Sequence, residues 1–141
     1  MKLELASLRK AVESLERTLN VANDRVFIAE LSPDQIDAIK AGVIQNFEVA
    51  YDLCWKYIQR WLRQNISPAD AEYPRTRKEF FRIAARYGLI DDPLPWFTYG
   101  DARNLSSHTY DEQKAESVYE TALRFITNAK SLLERLEERN D

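Results

Sequence analysis

The chain has 141 residues, of which 45% are apolar and 30% are charged, and its formal net charge is −3. This length and composition predict one folded domain spanning residues 1–141, with enough apolar side chains for a core. The acidic balance excludes a protein that is basic throughout, so any nucleic-acid contact must use a local cationic patch. The single cysteine, Cys54, excludes a disulfide framework and a cysteine-based zinc site. Its place on an apolar helix face predicts a core thiol.

The N-terminal stretch Met1-Lys2-Leu3-Glu4 contains an acidic residue early and no continuous apolar run. Signal peptides and membrane-spanning helices both need such a run. We therefore expect neither of them, no membrane partner and a cytoplasmic location.

Apolar residues at spacings of three and four predict a first helix from Lys2 to Val21. Residues 22–31 form a connection, in which three apolar residues are expected to pack against the other helices: Val26, Phe27 and Ile28. The stretch Ser32-Pro33-Asp34-Gln35 combines a cap, a proline at the first helical position and a glutamine at the third. It predicts the start of a second helix that reaches about Asn65.

Three charged residues follow one another at spacings of four on the polar side of this second helix, namely Glu48, Asp52 and Lys56. Side chains at that spacing are neighbours on a helix surface. Two interpretations are open, a salt-bridged stripe facing solvent or a support for a functional site. The spacing alone favours the solvent-facing stripe.

A third helix is predicted after the polar connection of residues 66–75, with Thr76 and Glu79 as a capping box and Gly88 as its stop. Four cationic residues line the side opposite its apolar face: Arg75, Lys78, Arg82 and Arg86. This basic stripe is an ordinary solvated face, or it is a surface for a phosphate backbone or an acidic partner.

Prolines in the stretch 91–95 break the chain before a fourth helix, on which four residues share one face: Trp96, Gly100, Arg103 and Ser107. Small residues such as Gly100 and Ser107 allow another helix to approach closely. The face can therefore pack inside the monomer or form a two-fold interface, and from it we hypothesise a homodimer.

The last helix is predicted from Tyr110 to about Glu138, opened by a capping box of Thr109 and Glu112. No strand pattern of convincing length occurs along the chain. The predicted fold is all-α, an antiparallel up-and-down bundle of four to five helices.

The stretch 103–110, Arg-Asn-Leu-Ser-Ser-His-Thr-Tyr, lies at the joint between the last two predicted helices and holds the only histidine of the chain. On an unbroken helix Arg103 and His108 would point about 140° apart. A break between them lets the two side chains converge. Arg103, His108 and Tyr110 would then supply a permanent cation, a group of a type that titrates near neutral pH, and a phenol.

These side chains suit a phosphodiester substrate. A guanidinium grips phosphate oxygens and neutralises charge that develops in the transition state. An imidazole can take a proton from a ribose 2′-hydroxyl or give one to the leaving oxygen. Because acid and base roles usually need two groups, a homodimer with two motifs across its axis would complete the site. Asn104 and Ser107 could hold a phosphate or orient the imidazole.

Metal catalysis has less support in the sequence. A lone histidine with Asp111 and Glu112 nearby is not a convincing ligand set. There is also no glycine-rich phosphate loop, so we expect no metal and no cofactor. For an isolated histidine beside a helix cap, the chemistry alone leaves a structural role open.

Arg103, His108 and Tyr110 match the R-x4-H-x-Y signature of HEPN proteins, and Asn104 matches the polar residue that often follows the arginine. Most of the chain resembles the HEPN-like family called nucleotidyltransferase substrate-binding proteins. The matching stretches occur in the expected order: 46–48, 51–53, 55–56, 88–91, Trp96, 103–104 and 108–112.

This resemblance implies a helical bundle, usually dimeric, that binds a small nucleotidyltransferase encoded nearby. Related pairs act as toxin and antitoxin, in which the HEPN member is a metal-independent ribonuclease that its partner silences, in some cases by attaching AMP to the motif tyrosine. Carried over to this chain, Arg103 and His108 are the catalytic pair and Tyr110 is the acceptor. Glu48 and Asp52 resemble the acidic positions of the second helix.

The sequence therefore supports three hypotheses. The first is a HEPN ribonuclease restrained by a nucleotidyltransferase partner. The second is a non-catalytic subunit that binds nucleotide or substrate for that transferase. The third is a helical dimerisation module in which the Arg–His–Tyr set stabilises an interface. RNA is a partner under the first hypothesis only.

Overall fold

A computed structural model describes residues 2–140. Within them the chain forms six α-helices and a short 3-10 turn, and no β-strand: α1 Ala6–Ala22, α2 Arg25–Ala29, α3 Pro33–Asn65, α4 Arg77–Arg86, α5 Pro93–Leu105, the turn Ser106–His108 and α6 Glu112–Glu138. The predicted all-α class is confirmed. Five helices correspond to those predicted, and α2 is a single-turn addition in the first connection.

The two longest helices, α3 and α6, organise the bundle. Helix α1 packs along α3, α6 packs against α1, α3 and α5, and α4 covers α5 and α3. Aromatic side chains fill the centre. The rings of Phe47 and Phe125 meet edge to face at 5.1 Å between centroids, and Tyr99 meets Phe125 at the same distance. Such edge contacts are the favoured geometry of aromatic pairs and join α3, α5 and α6 into one core.

Capping residues set the predicted helix starts. At α3 the Ser32 hydroxyl accepts from the Gln35 N–H, and the Gln35 side chain accepts from the Ser32 N–H, which is the complete capping box. At α4 the Thr76 hydroxyl accepts from the Glu79 N–H at 3.2 Å. The reciprocal half predicted there is wrong, because the Glu79 carboxylate accepts from the N–H of Arg75 instead.

The N-terminal part differs from the prediction in two places. Helix α1 begins at Ala6 rather than Lys2. The Asn140 side chain bonds both the N–H and the carbonyl of Leu3, and in a helix that carbonyl would accept from the N–H four residues later. The expected packing of residues 26–28 is also wrong for Val26 and Phe27, whereas Ile28 is half-buried. Val26 and Phe27 lie on the exposed surface of the short α2, with 78% of Val26 accessible, since a single turn presents few side chains inward.

The α5 face that carries Trp96 and Gly100 packs inside the monomer. Trp96 is buried, and a Cβ placed on Gly100 would lie 2.9 Å from the Tyr51 hydroxyl oxygen of α3. Gly100 thus permits the close approach of α5 and α3, as its small size suggested. The sequence left two alternatives for this face, packing within the monomer or a two-fold interface. Trp96 and Gly100 pack within the monomer, and the homodimer remains a prediction.

Helix α4, the third of the predicted helices, is followed as predicted by Gly88, at a φ of +76°. Such left-handed conformations favour glycine. In the part of the chain that the structure describes, no helix combines the length and apolarity needed to cross a membrane.

Candidate active site at the α5–α6 break

The helix break predicted between Arg103 and His108 is present. Helix α5 ends at Leu105, a 3-10 turn covers residues 106–108, and α6 begins at Glu112. The cap of α6 is Asp111, whose carboxylate accepts from the N–H groups of Gln113 and Lys114 at 2.9 and 3.2 Å. The predicted cap at Thr109 and the predicted start at Tyr110 are therefore wrong. Aspartate caps at least as well as threonine, and the 3-10 turn delays the helix by two residues.

Arg103 reaches from the last turn of α5 to two carboxylates on α3. Its Nε and Nη2 donate to the two oxygens of Asp52 at 2.9 and 3.1 Å, and its Nη1 donates to Glu48 Oε2 at 2.8 Å. The two-pronged contact with Asp52 uses the planar geometry of the guanidinium. The solvent-facing stripe favoured for Glu48 and Asp52 is wrong, because both of them hold Arg103.

Ser106, one helical turn after Arg103, completes this ion cluster. Its hydroxyl accepts from Arg103 Nη1 at 3.0 Å and lies 2.7 Å from Glu48 Oε2 and 2.6 Å from the Arg103 carbonyl. The single hydroxyl proton can go to only one of those two acceptors. Only 6% of Ser106 is exposed. Ser106 is not among the site residues predicted from the sequence. Its spacing of three from Arg103, which makes the two side chains neighbours on a helix surface, was the signal that could have identified it.

The cluster constrains what Arg103 can do. Four of its five N–H groups have partners within the described chain, which leaves one hydrogen on Nη2. Hydrogen bonding to Asp52, with further attraction from Glu48, raises the pKa of Arg103 above its ordinary value. The guanidinium is therefore a fixed cation in a cluster whose three ionised side chains sum to a charge of −1. An incoming phosphate must compete with both carboxylates.

His108 and Tyr110 form the exposed part of the site. His108 Nδ1 lies 3.2 Å from the Tyr110 hydroxyl, with the rings nearly perpendicular and 5.8 Å apart. If the phenol donates, the ring proton lies on the outer nitrogen, Nε2. Tyr110 is 82% exposed. Within residues 2–140 no hydrogen bond joins Arg103 to His108; the two residues lie in the last turn of α5 and in the 3-10 turn that follows it.

The two other predicted supporting residues lie on the exposed side of the turn. The Ser107 hydroxyl donates to the Asn104 carbonyl at 3.0 Å, which ties the turn back to α5. Both side chains are exposed. Their contacts are local, and the structure places them beside the Arg103 cluster rather than in it.

An acidic groove of about 820 Å³ lies on one side of the break, between α3 and the start of α6. Carboxylates dominate its charged lining, and the one cation among its described lining residues, Lys40, pairs with Glu116 at 3.1 Å. The carboxylates that line it are Asp37, Glu48, Glu112 and Glu116. In residues 2–140 no group of three or more histidine, cysteine or acidic side chains is placed to hold a metal ion.

The predicted basic stripe lies elsewhere, on α4 and, for Arg75, in the connection just before it. All four members are exposed, and in the described chain none forms a salt bridge: Arg75, Lys78, Arg82 and Arg86. Lys78 and Arg82 instead lie over the ring of Phe97, each 5.4 Å from its centroid. The stripe is exposed and cationic, as the sequence predicted.

Comparison with known proteins agrees with this architecture. Residues 3–138 match the family described as "Nucleotidyltransferase substrate binding protein like". The chain is 39% identical over 140 residues to the "Probable ribonuclease HepT" of Haemophilus influenzae, with 99% of this chain and 95% of that protein covered.

Two solved structures share the fold. A Haemophilus influenzae structure, described as the fold of a substrate binding domain of a nucleotidyltransferase, matches with a TM-score of 0.88 and 37% identity over 95% of this chain and 99% of that one. A Thermus thermophilus protein matches with a TM-score of 0.65 and 23% identity, over 89% of this chain and 98% of that one, and shows the fold alone. The chain therefore belongs to the nucleotidyltransferase substrate-binding-protein-like family, in which the HEPN resemblance had placed it.

Proposed function

We propose that this protein is the HEPN subunit of a two-protein nucleotidyltransferase module and that it cleaves RNA without a metal ion. The observation that carries the proposal is the joint placement of Arg103 and His108 at one helix break. The arginine is held by α3, whereas the imidazole is exposed and has one nitrogen directed to Tyr110. The relative named as a probable ribonuclease is consistent with this activity.

In the proposed reaction a His108 ring nitrogen takes the proton of a ribose 2′-hydroxyl. The 2′-oxygen forms a bond to the neighbouring phosphorus, and the bond from phosphorus to the 5′-oxygen breaks. The leaving 5′-oxygen needs a proton, which a second histidine can give. Since each chain has one histidine, a second copy would supply it. The products are a 2′,3′-cyclic phosphate and a 5′-hydroxyl.

Arg103 has the electrostatic role in this scheme. A guanidinium does not lose its proton near neutral pH, so it suits charge stabilisation better than proton transfer. Its remaining Nη2 hydrogen can bond a phosphate oxygen while Asp52 and Glu48 keep the group in place. Positioning of this kind is what makes a charged donor effective in a transition state.

The partner would restrain the toxin through Tyr110, which is exposed enough for an enzyme to reach. In the proposed modification the phenol oxygen attacks the α-phosphorus of ATP, pyrophosphate leaves, and the phenol proton passes to solvent or to a base of the partner. The resulting AMP would stand beside His108 and block entry of an RNA phosphate. It would also replace the hydroxyl hydrogen that Tyr110 can offer to Nδ1.

Cleavage of labelled RNA by the purified protein tests the ribonuclease proposal. Wild type should cleave in the presence of chelator, and His108→Ala should lose at least about a hundredfold in rate, as removal of a general acid–base does. Helical content, measured by circular dichroism, should stay unchanged because His108 is exposed. Persistent cleavage by His108→Ala, or its loss on chelation, would overturn the mechanism.

Mass spectrometry tests the modification. Incubation with the nucleotidyltransferase, ATP and magnesium should add one AMP to wild type and none to Tyr110→Phe, with Tyr119→Phe of α6 as the matched control. An adduct that persists in Tyr110→Phe would remove this tyrosine from the mechanism.

The alternative is a non-catalytic subunit that binds nucleotide or substrate for the transferase. The pairing of Arg103 with two carboxylates favours this alternative, because such an ion cluster can stabilise the fold without taking part in catalysis. Absence of cleavage by the partner-free wild type, together with an increase in transferase activity when the subunit is added, would favour this function.

A further inference from the structure

Three cations of α4, Arg77, Lys78 and Arg82, lie over aromatic rings rather than pairing with carboxylates. We define the α4 cationic surface as Arg75, Arg77, Lys78, Arg82 and Arg86. Arg77, which is not part of the predicted basic stripe, lies 4.9 Å from the Trp55 ring and 5.8 Å from that of Tyr51. Lys78 and Arg82 share Phe97. Stacking of this kind orders a cation without neutralising it, so the charge stays available to an anion.

This surface and the candidate active site rest on the same two helices. Arg77 Nη1 donates to the Tyr51 hydroxyl at 3.4 Å, and Tyr51 is the neighbour in sequence of Asp52, which binds Arg103. On α5, Phe97 precedes Arg103 by six residues, or about 9 Å of helix. The α4 cationic surface thus packs on the same two helices, α3 and α5, that position the guanidinium.

On another side of the break, the acidic groove between α3 and the start of α6 disfavours anions. Of its four carboxylates, Glu116 pairs with Lys40 and Glu48 with Arg103, whereas Asp37 and Glu112 have no salt-bridge partner within residues 2–140. A polyanion that contacts Arg103 is therefore attracted toward α4 and kept away from the groove between α3 and α6. This difference in charge favours a path for the bound strand that runs from Arg103 toward α4.

Aromatic rings beside the cations favour a nucleic acid over an acidic protein. Beside α4 a shallow groove of about 300 Å³ is lined by the half-buried Tyr73 and by three members of the cationic surface, Arg75, Arg82 and Arg86. Glu72 and Glu79 also line it, and the Glu79 carboxylate is bonded to the N–H of Arg75. Interleaved cations and half-exposed rings bind single strands, whose bases are free to stack.

We propose that the α4 cationic surface binds the phosphates of single-stranded RNA that flank the bond cut at Arg103 and His108. The inference rests on the proposed function and adds to it the class of substrate and its path. Lys78, Arg82 and Arg86 contact successive phosphates, while the half-buried Tyr73 offers a face for a base. The substrate is therefore longer than the one phosphodiester that the catalytic pair handles.

The experiment compares Arg82→Gln/Arg86→Gln with Lys10→Gln/Arg25→Gln, which removes the same charge from exposed residues of α1 and α2. The probe is a fluorescein-labelled single-stranded RNA with 2′-O-methyl groups, which cannot undergo attack by a 2′-hydroxyl. Anisotropy gives Kd at a series of salt concentrations. A cleavable RNA of the same sequence gives kcat and KM.

We expect the α4 variant to bind the probe about tenfold or more weakly and to lower the slope of log K against log salt by about 1.4, or about 0.7 for each phosphate that the protein no longer neutralises. Its KM should rise with kcat unchanged, and the control variant should behave as wild type. Equal binding and equal slopes for all three proteins would overturn the proposal and identify α4 as a solvated face.

Two further outcomes separate this inference from the ribonuclease activity. If the α4 variant loses only its affinity for the nucleotidyltransferase, the surface is a protein contact and the inference is wrong. If the probe binds as expected but no cleavable RNA is cut, the RNA-binding surface stands and the proposed ribonuclease function fails.

Discussion

Substitution of Arg103 can separate its contribution to stability from its contribution to RNA cleavage. Replacing it with alanine removes three charge-assisted hydrogen bonds and leaves Glu48 and Asp52, one helical turn apart on α3, without their common cation. The Ser106 hydroxyl is also left without this donor. We therefore expect Arg103→Ala to lower the free energy of unfolding as well as to abolish RNA cleavage.

The structure sets the magnitude of the stability loss. The Asp52 side chain is 53% exposed, so its pair with Arg103 should contribute about 0.5–1 kcal/mol, as exposed pairs do. Glu48 is 27% exposed and shares its oxygen with Ser106, so loss of its partner should cost somewhat more, about 1–1.5 kcal/mol. The sum is about 2 kcal/mol, or a decrease in Tm of about 5–8 °C.

Urea unfolding followed by circular dichroism measures the change, with RNA cleavage assayed in parallel. The informative control is the triple variant Arg103→Ala/Glu48→Gln/Asp52→Asn, in which neutral amides replace the two unpaired carboxylates. It should recover at least half of the lost stability without recovering cleavage. Arg103→Lys keeps the charge but loses the two-pronged geometry, and we expect intermediate stability from it.

Two results would refute this reasoning. A change in unfolding free energy below about 0.5 kcal/mol for Arg103→Ala would mean that the ion cluster does not hold α5 to α3. Cleavage by the triple variant at the wild-type rate would show that the guanidinium takes no part in the chemistry.

Four other predictions rest on individual contacts. Gly100→Ala should destabilise the fold by about 1–3 kcal/mol in thermal unfolding, because its Cβ meets the Tyr51 hydroxyl oxygen at 2.9 Å. A Cβ at Gly42 would have no atom of the described chain within 4 Å, so Gly42→Ala should stabilise the fold by about 0.5–1 kcal/mol. Equal changes in the two glycine variants would contradict the close packing of Gly100 on Tyr51. Ser106→Ala should reduce cleavage severalfold while Ser107→Ala leaves it near the wild-type rate, and the reverse order would mean that the turn is misassigned. Light scattering should give the mass of a dimer, and a monomer at every workable concentration would exclude a site shared between two copies.

The helices could be predicted well from the sequence because strong local signals mark them. Ser32-Pro33 sets the start of α3, and positive φ at Gly88 follows the end of α4. Local signals fail where two compete. Thr109 and Asp111 are both good caps, and only the 3-10 turn, which depends on the packing of Ser106, selects the second.

Long-range contacts explain the remaining differences. Glu48 and Asp52 have the spacing of a solvent-facing stripe, and nothing local indicates that a residue 51 positions beyond Asp52 will bind both. The burial of the Gly100 face likewise depends on Tyr51 of another helix. Exposure of Val26 arises because α2 is too short to bury its apolar side chains.

The lone thiol in the middle of α3 can report how often the core opens. Cys54 is fully buried, and burial raises the pKa of its thiol far above the ordinary value. The thiolate is the nucleophile that attacks a labelling reagent, so labelling at neutral pH has to wait until the core opens. Because the chain has a single cysteine, each labelling event reports on this one helix. Labelling rates measured with and without RNA would then give the gain in stability on binding, with no added probe on the protein surface.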